Sequence, residues 1–263
     1  MQQHIYRQLN ELAGSLWSPY IVPAHGSHVL DIGWGMGESV LELALKYPSM
    51  HITGIDKDES TVAQAQSLVR GMDNVTIFLQ DFHQLDQTLL TPASFRLIHL
   101  HFLTLEMEVQ QFPQILSSLA RVSLPGGLLV WTEGELPITT SPACQHLCAL
   151  ILQAFQTSGH VLSQGNSLGL TVQMSGMLKE AGYRCTRSKA YAIDISARSK
   201  GNDACIAQLS ISHSQIRAFL LQLGLTTITE FENLYAEMLR EIQEEQFCGL
   251  LYVRTVVASR LEE

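Results

Sequence analysis

The sequence has no apolar run near the roughly 18 to 20 residues needed to cross a bilayer, no long stretch of Lys and Arg, no internal repeat and no low-complexity tract. Only 16% of its residues are charged, and 16 Lys and Arg against 25 Asp and Glu give a formal charge of −9. That balance supplies no long-range attraction to phosphate backbones or anionic membrane surfaces. The five cysteines, Cys144, Cys148, Cys185, Cys205 and Cys248, are odd in number, and the opening stretch is polar, so neither a disulfide framework nor a secretory leader is legible. Cys144 and Cys148 share a face if helical, but no second Cys/His pair stands near them, which points to structural thiols rather than a metal site. These absences lead us to expect a soluble cytoplasmic protein, monomeric or homodimeric, with no metal and no nucleic-acid or membrane partner.

What is present is a chain of 263 residues, 46% of them hydrophobic, long enough for a sizeable core. Residues 1–27 read as a helical cap carrying Ile5, Leu9, Leu12 and Leu16, broken at Ser18-Pro19. From 28 the text alternates: strands at 28–32, 51–55, 75–79, 95–102 and 128–132, with helices at 38–47, 58–70 and 112–122 between them. Such alternation predicts an α/β fold with a parallel, doubly wound sheet. Beyond Glu133 the rhythm changes, with helices at 144–155 and 171–181, a strand at 183–196, two further helices and a last strand at 249–258. Thr229 and Glu232 have capping-box spacing before an apolar face of Phe231, Leu234, Tyr235, Met238, Leu239 and Ile242. Helical stretches at about 138–168 and 198–246 interrupt the 28–263 domain and are candidates for a substrate lid.

The strongest motif is Val29-Leu30-Asp31-Ile32-Gly33-Trp34-Gly35-Met36-Gly37, a strand running into a glycine turn and then a helix. Its spacing is G-x-G-x-G, and Glu38 follows at once, where its charge would repel a pyrophosphate. A ligand without phosphates therefore fits better than a dinucleotide. Asp31 closes the first strand and Asp56 the second, Asp56 lying where a carboxylate can accept both hydroxyls of a ribose. Asp81 follows the third strand, placed to take an amino proton of adenine while Phe82 packs on the ring.

With these residues, the fourth-strand segment 95–102 and the turn Leu124-Pro125-Gly126-Gly127, the chain resembles the class I S-adenosylmethionine-dependent methyltransferases. It is most similar to the small-molecule branch of ubiquinone, menaquinone and natural-product enzymes, closely over 26–135 and loosely beyond. The resemblance implies a Rossmann-like, seven-stranded, mostly parallel sheet whose last strand is antiparallel, with S-adenosyl-L-methionine as cofactor. It implies cofactor contacts from Asp31, Gly33, Gly35, Gly37, Asp56 and Asp81, and to these we add Trp34, Lys57, Phe82 and His99 as expected cofactor-binding neighbours. Two positions depart from the family pattern: Trp34 replaces a small residue, and Arg96 replaces an acid. Trp34 either closes over the methionine tail or packs on the N-terminal helix.

Methyl transfer is an in-line displacement, so the protein mainly aligns donor and acceptor, and a base is needed only when the acceptor must lose a proton. Candidates for such a group are His101, Glu133 and His160, with His99 and Glu106 as weaker ones. On a regular strand His99 and His101 point the same way. Each has a plainer reading: a structural histidine for His101, a solvated loop carboxylate for Glu133. Tyr6, Tyr20, Phe155 and Tyr235 either wall an apolar acceptor pocket or pack in the core. The expected reaction is methyl transfer to a small, fairly apolar metabolite in natural-product or cofactor biosynthesis, the alternative being a cyclisation or rearrangement that keeps the cofactor.

Overall fold

The computed structural model describes residues 26–33, 37–81, 90–103 and 107–262. Apart from 26 and 27, the expected N-terminal cap lies outside them. Strands and helices alternate as β1 (His28–Ile32), α1 (Glu38–Lys46), β2 (His51–Asp56), α2 (Glu59–Leu68), β3 (Val75–Leu79), β4 (Phe95–His101), α3 (Phe112–Val122) and β5 (Ser123–Gly134). There follow β6 (Ile138–Thr139), α4 (Pro142–Thr157), α5 (Leu170–Glu180), β7 (Tyr183–Asp194), α6 (Lys200–Gln222), α7 (Ile228–Glu241) and β8 (Gly249–Arg260).

Strands β3, β2, β1, β4 and β5 lie side by side and parallel, and β8 runs antiparallel between β5 and β7. Seven long strands match the expectation. An eighth, β6, is a two-residue pairing that continues along β8 beyond the end of β5.

Successive strand residues face opposite sides, so the sheet buries two apolar layers. Val29, Leu97 and Val130 meet Val40, Leu43 and Ala44 of α1 and Val62 and Ala65 of α2. On the other side Leu30, Ile98, Leu129 and Trp131 meet Phe112, Ile115 and Leu119 of α3 and Met174 and Leu178 of α5.

A separate apolar cluster joins α4, α6 and α7 through Leu147, Leu220, Phe231, Tyr235 and Met238. Cys144 is buried in it with Cys148 packed alongside, as expected of structural thiols. Two polar seams tie it together: the Asn202 amide donates to the Ile195 and Ile242 carbonyls, and Glu241 accepts from the Ser141 hydroxyl and the Ala143 N–H. This helical layer hangs from one edge of the sheet. The chain enters it from the carboxyl ends of β5 and β7, and it returns to β8 at that same edge because β8 runs the other way.

The capping box of α7 is formed by Thr227 and Glu230, two residues earlier than the sequence pattern suggests. Thr227 Oγ1 accepts from the Glu230 N–H, and the Glu230 carboxylate accepts from the Thr227 N–H. The pattern occurs twice in Thr227-Ile228-Thr229-Glu230-Phe231-Glu232, and Glu232 is engaged elsewhere, bonded to Arg217 and His213 of α6. Thr227→Ala is therefore expected to cost about 1 kcal/mol in chemical denaturation, and the exposed Thr229→Ala less than about 0.5 kcal/mol.

Candidate cofactor site

The carboxyl ends of the parallel strands share one edge, where open α/β sheets usually form their ligand crevice. At the end of β1, Gly33 has φ +75° and Gly37, the residue before α1, has φ +91°. Both are left-handed conformations that a side chain disfavours. At Gly33 an added Cβ would also stand 3.3 Å from Leu103 Cδ2 and 3.5 Å from the His101 carbonyl. Trp34, Gly35, Phe82 and Glu106, along with Tyr6 and Tyr20, lie outside the described residues.

Asp56 closes β2, half-buried, with Oδ1 accepting the Asp58 N–H at 3.0 Å. Asp58 in turn caps α2 by accepting from the Thr61 N–H, so the turn that holds Asp56 is braced by the helix after it. The Gln80 N–H donates to the Asp56 carbonyl and carries the β2–β3 ladder one step on. Half-buried Asp81 thus stands on the strand end next to Asp56, and Lys57 is exposed beside them. Left-handed glycines at a strand-to-helix turn and two accessible carboxylates on the next two strand ends fit a nucleoside with a flexible amino-acid tail.

Behind this crevice three polar side chains are fully buried. Asp31 pairs in register with His99, and His99 Nδ1 lies 2.9 Å from Asp31 Oδ1. With Asp31 ionised, the pair requires the proton on Nδ1, since a carboxylate only accepts. His101 stacks on His99 with ring centroids 4.8 Å apart, and its Nε2 is 3.7 Å from the same oxygen. The expectation that both histidines share a face is met. His99 is seen against both Asp31 and His101, on the buried side of the strand ends.

These three ligand-type atoms lie within 4.8 Å of one another. Metal–nitrogen bonds of about 2.0–2.1 Å would hold them within about 4.2 Å, and the nearest pair is already hydrogen bonded, so the cluster fits a polar triad better than a metal centre. The row continues through Thr132, paired with His101, whose Oγ1 is 2.9 Å from Thr255 Oγ1.

Burial, and secondarily His99, pull the His101 pKa from its usual 6.5 to about 3, with Asp31 opposing. A neutral imidazole so displaced is poorly matched to general-base work near neutrality, where the useful pKa lies close to the operating pH. It has a stability consequence. Between about 3 and 6.5 the unfolded chain binds a proton that the folded chain does not, so acidification through this window destabilises the fold, by at most about 1.4 kcal/mol per pH unit. His101→Gln should therefore show a shallower fall of Tm with acidification than the parent; equal slopes would contradict the assignment.

Glu133 is 1% exposed, which removes its reading as a solvated loop carboxylate. Its Oε1 accepts from the Leu103 N–H at 2.7 Å and from Trp131 Nε1 at 2.9 Å. His160 follows α4, half-buried; its Nδ1 contacts the Ser158 carbonyl and hydroxyl, and its ring leans on Phe155. Phe155 and Tyr235 are buried in the apolar clusters of the helical layer. Arg96 is exposed near the amino end of β4, away from the carboxyl ends where the candidate site lies.

Leu103 and Phe102 escaped sequence reading. Phe102 adopts φ +51° without being glycine, and nothing in a Phe-Leu pair signals a left-handed turn.

A family model described as a methyltransferase domain matches residues 23–182, well over half of the chain. Two curated tRNA (guanine-N(7)-)-methyltransferases, from Burkholderia cenocepacia (strain HI2424) and Burkholderia orbicola (strain AU 1054), are 32% identical over 76 residues. That stretch is 28% of this chain and 30% of theirs, so the match spans under a third of those relatives. Among solved structures, Haemonchus contortus phosphoethanolamine N-methyltransferase 2, bound to phosphomonomethylethanolamine and S-adenosylhomocysteine, superposes with TM-score 0.58 at 14% identity, over 98% of this chain and 53% of that one. The [4+2]-cyclase SpnF superposes with TM-score 0.59 at 17% identity, over 100% and 95%. The chain belongs to the class I S-adenosylmethionine-dependent methyltransferase family.

Proposed function

We propose that the protein transfers a methyl group from S-adenosyl-L-methionine to a small, fairly apolar organic acceptor, in natural-product or cofactor biosynthesis. The observation that carries this reading is topological. The helical layer of α4, α6 and α7 is rooted at the sheet edge that bears Gly33, Asp56 and Asp81, where a lid with its own apolar core can shut an organic acceptor away from water. The net charge of −9 favours such an acceptor over the tRNA of the Burkholderia relatives, and no described helix is long and apolar enough to cross a membrane. We place the protein in the cytoplasm, as a monomer or homodimer.

In this reading the cofactor, when bound, supplies an electrophilic sulfonium methyl. Asp56 accepts from the ribose and Asp81 from the adenine amino group, while Gly33, Gly35 and Gly37 let the backbone approach the amino-acid tail. Lys57, Trp34 and Phe82 complete its surroundings. Asp31 faces that tail with its orientation set by His99 and His101 behind it. The remaining work is alignment and exclusion of water. If the acceptor must lose a proton, His160 beside the helical layer is the base candidate we favour among the described residues, since His101 is held neutral and Glu133 is tied to backbone and indole.

The test is incubation with S-adenosylmethionine and a panel of apolar phenols, acids and amines, reading S-adenosylhomocysteine. Its formation only with an acceptor supports the reading; none, under conditions where the cofactor binds, sinks it. The likeness to a [4+2]-cyclase over both chain lengths motivates one second reading, a cyclisation that retains the cofactor. Acceptor consumed with no S-adenosylhomocysteine would select it.

A further inference from the structure

We propose that Glu133 is a positioning residue for the cofactor site: its buried carboxylate pins the turn after β4 against the glycine loop after β1. The inference rests on the assignment of the Gly33–Gly37 loop as the cofactor cradle. Two donors of different origin converge on one carboxylate oxygen. One is Trp131 Nε1, fixed because its ring is wholly buried and stacked on Phe112 with centroids 5.5 Å apart. The other is the Leu103 N–H at 2.7 Å. A carboxyl oxygen has two lone pairs, so one atom can hold both donors at once.

The turn is held at adjacent points. The Phe102 N–H donates to the Thr132 carbonyl of β5 at 2.9 Å, and Phe102 takes its left-handed φ of +51° there. Such a conformation persists only where the surroundings enforce it, and it directs the next N–H, that of Leu103, to Glu133.

From Leu103 the path to the cradle is short. Its side chain is buried, and Cδ2 sits 3.3 Å from where a Cβ of Gly33 would stand. A carboxylate on β5 thereby sets the height of Leu103 under the first glycine of the loop. Glu133 is accordingly a group that acts through Leu103, not one that touches the reacting atoms.

The experiment is calorimetric titration with S-adenosylhomocysteine of the parent, E133Q, E133A and L103A, alongside circular dichroism to confirm folding at the titration temperature. The glutamine keeps an acceptor oxygen and is expected to stay within about 3-fold of the parent, while E133A and L103A weaken binding by about 10-fold or more. Parent-like affinity in E133A or L103A, even with a lowered Tm, would confine Glu133 to holding the fold and overturn the proposal. E133Q as weak as E133A would do so too, because acceptor geometry would then not be what matters. If E133A does not fold, E133Q and L103A decide. A parent that binds no S-adenosylhomocysteine would remove the cofactor assignment itself, which distinguishes that failure from a failure of the positioning role.

Discussion

Asp31→Ala is expected to cost about 1–3 kcal/mol of folding stability, because removing the buried carboxylate takes a hydrogen-bond partner from the His99 imidazole in a dry interior. The carboxylate is fully buried, accepts from His99 at 2.9 Å and faces His101 at 3.7 Å. Asp31→Asn keeps a carbonyl oxygen where Oδ1 stands, so its cost should be nearer 1 kcal/mol, the net worth of one hydrogen bond. Urea denaturation of the two variants checks the pair. An alanine variant within about 1 kcal/mol of the parent would mean that His99 finds another acceptor and that the triad does not hold Asp31 in place.

Asp56→Ala should act on the ligand instead of the fold. Losing the acceptor of a ribose diol is expected to weaken cofactor binding by about 1–3 kcal/mol, roughly 5- to 150-fold. The fold is expected to survive because Asp56 is half-buried and its hydrogen bond to the Asp58 N–H braces a turn that Asp58 already caps. Titration with S-adenosylhomocysteine reads the affinity and circular dichroism the fold; unchanged affinity would contradict the assignment of Asp56 to the ribose.

Much of the sheet was legible because its signals are local. Parallel strands read as short apolar runs, and 28–32 and 75–79, together with the helix 112–122, fall where the text places them. The glycine turn could be found because left-handed backbone at Gly33 and Gly37 nearly demands glycine. Thr227 was missed for a physical reason: two overlapping boxes have the same spacing, and only the packing of α6 shows that Glu232 is spent on Arg217 and His213.

The environment of the candidate polar groups was harder to read. Asp31 and His99 are 68 positions apart and meet only because β1 and β4 are neighbours in the sheet. Glu133 could be read either as a site group or as a loop acid, because β5 extends to Gly134, beyond the apolar run that marks it in the text. Its two donors, a backbone N–H on another strand's exit and an indole two residues back, leave no sequence pattern.

The central claim is that the crevice at the ends of β1, β2 and β3 takes an adenosyl ligand without phosphates. Calorimetric titration of the purified protein with S-adenosylhomocysteine, with NADH as the control ligand, tests it most directly. The account predicts saturable binding of S-adenosylhomocysteine, with a Kd on the order of micromolar, and no heat from NADH. Binding of NADH, or of neither ligand, would contradict it.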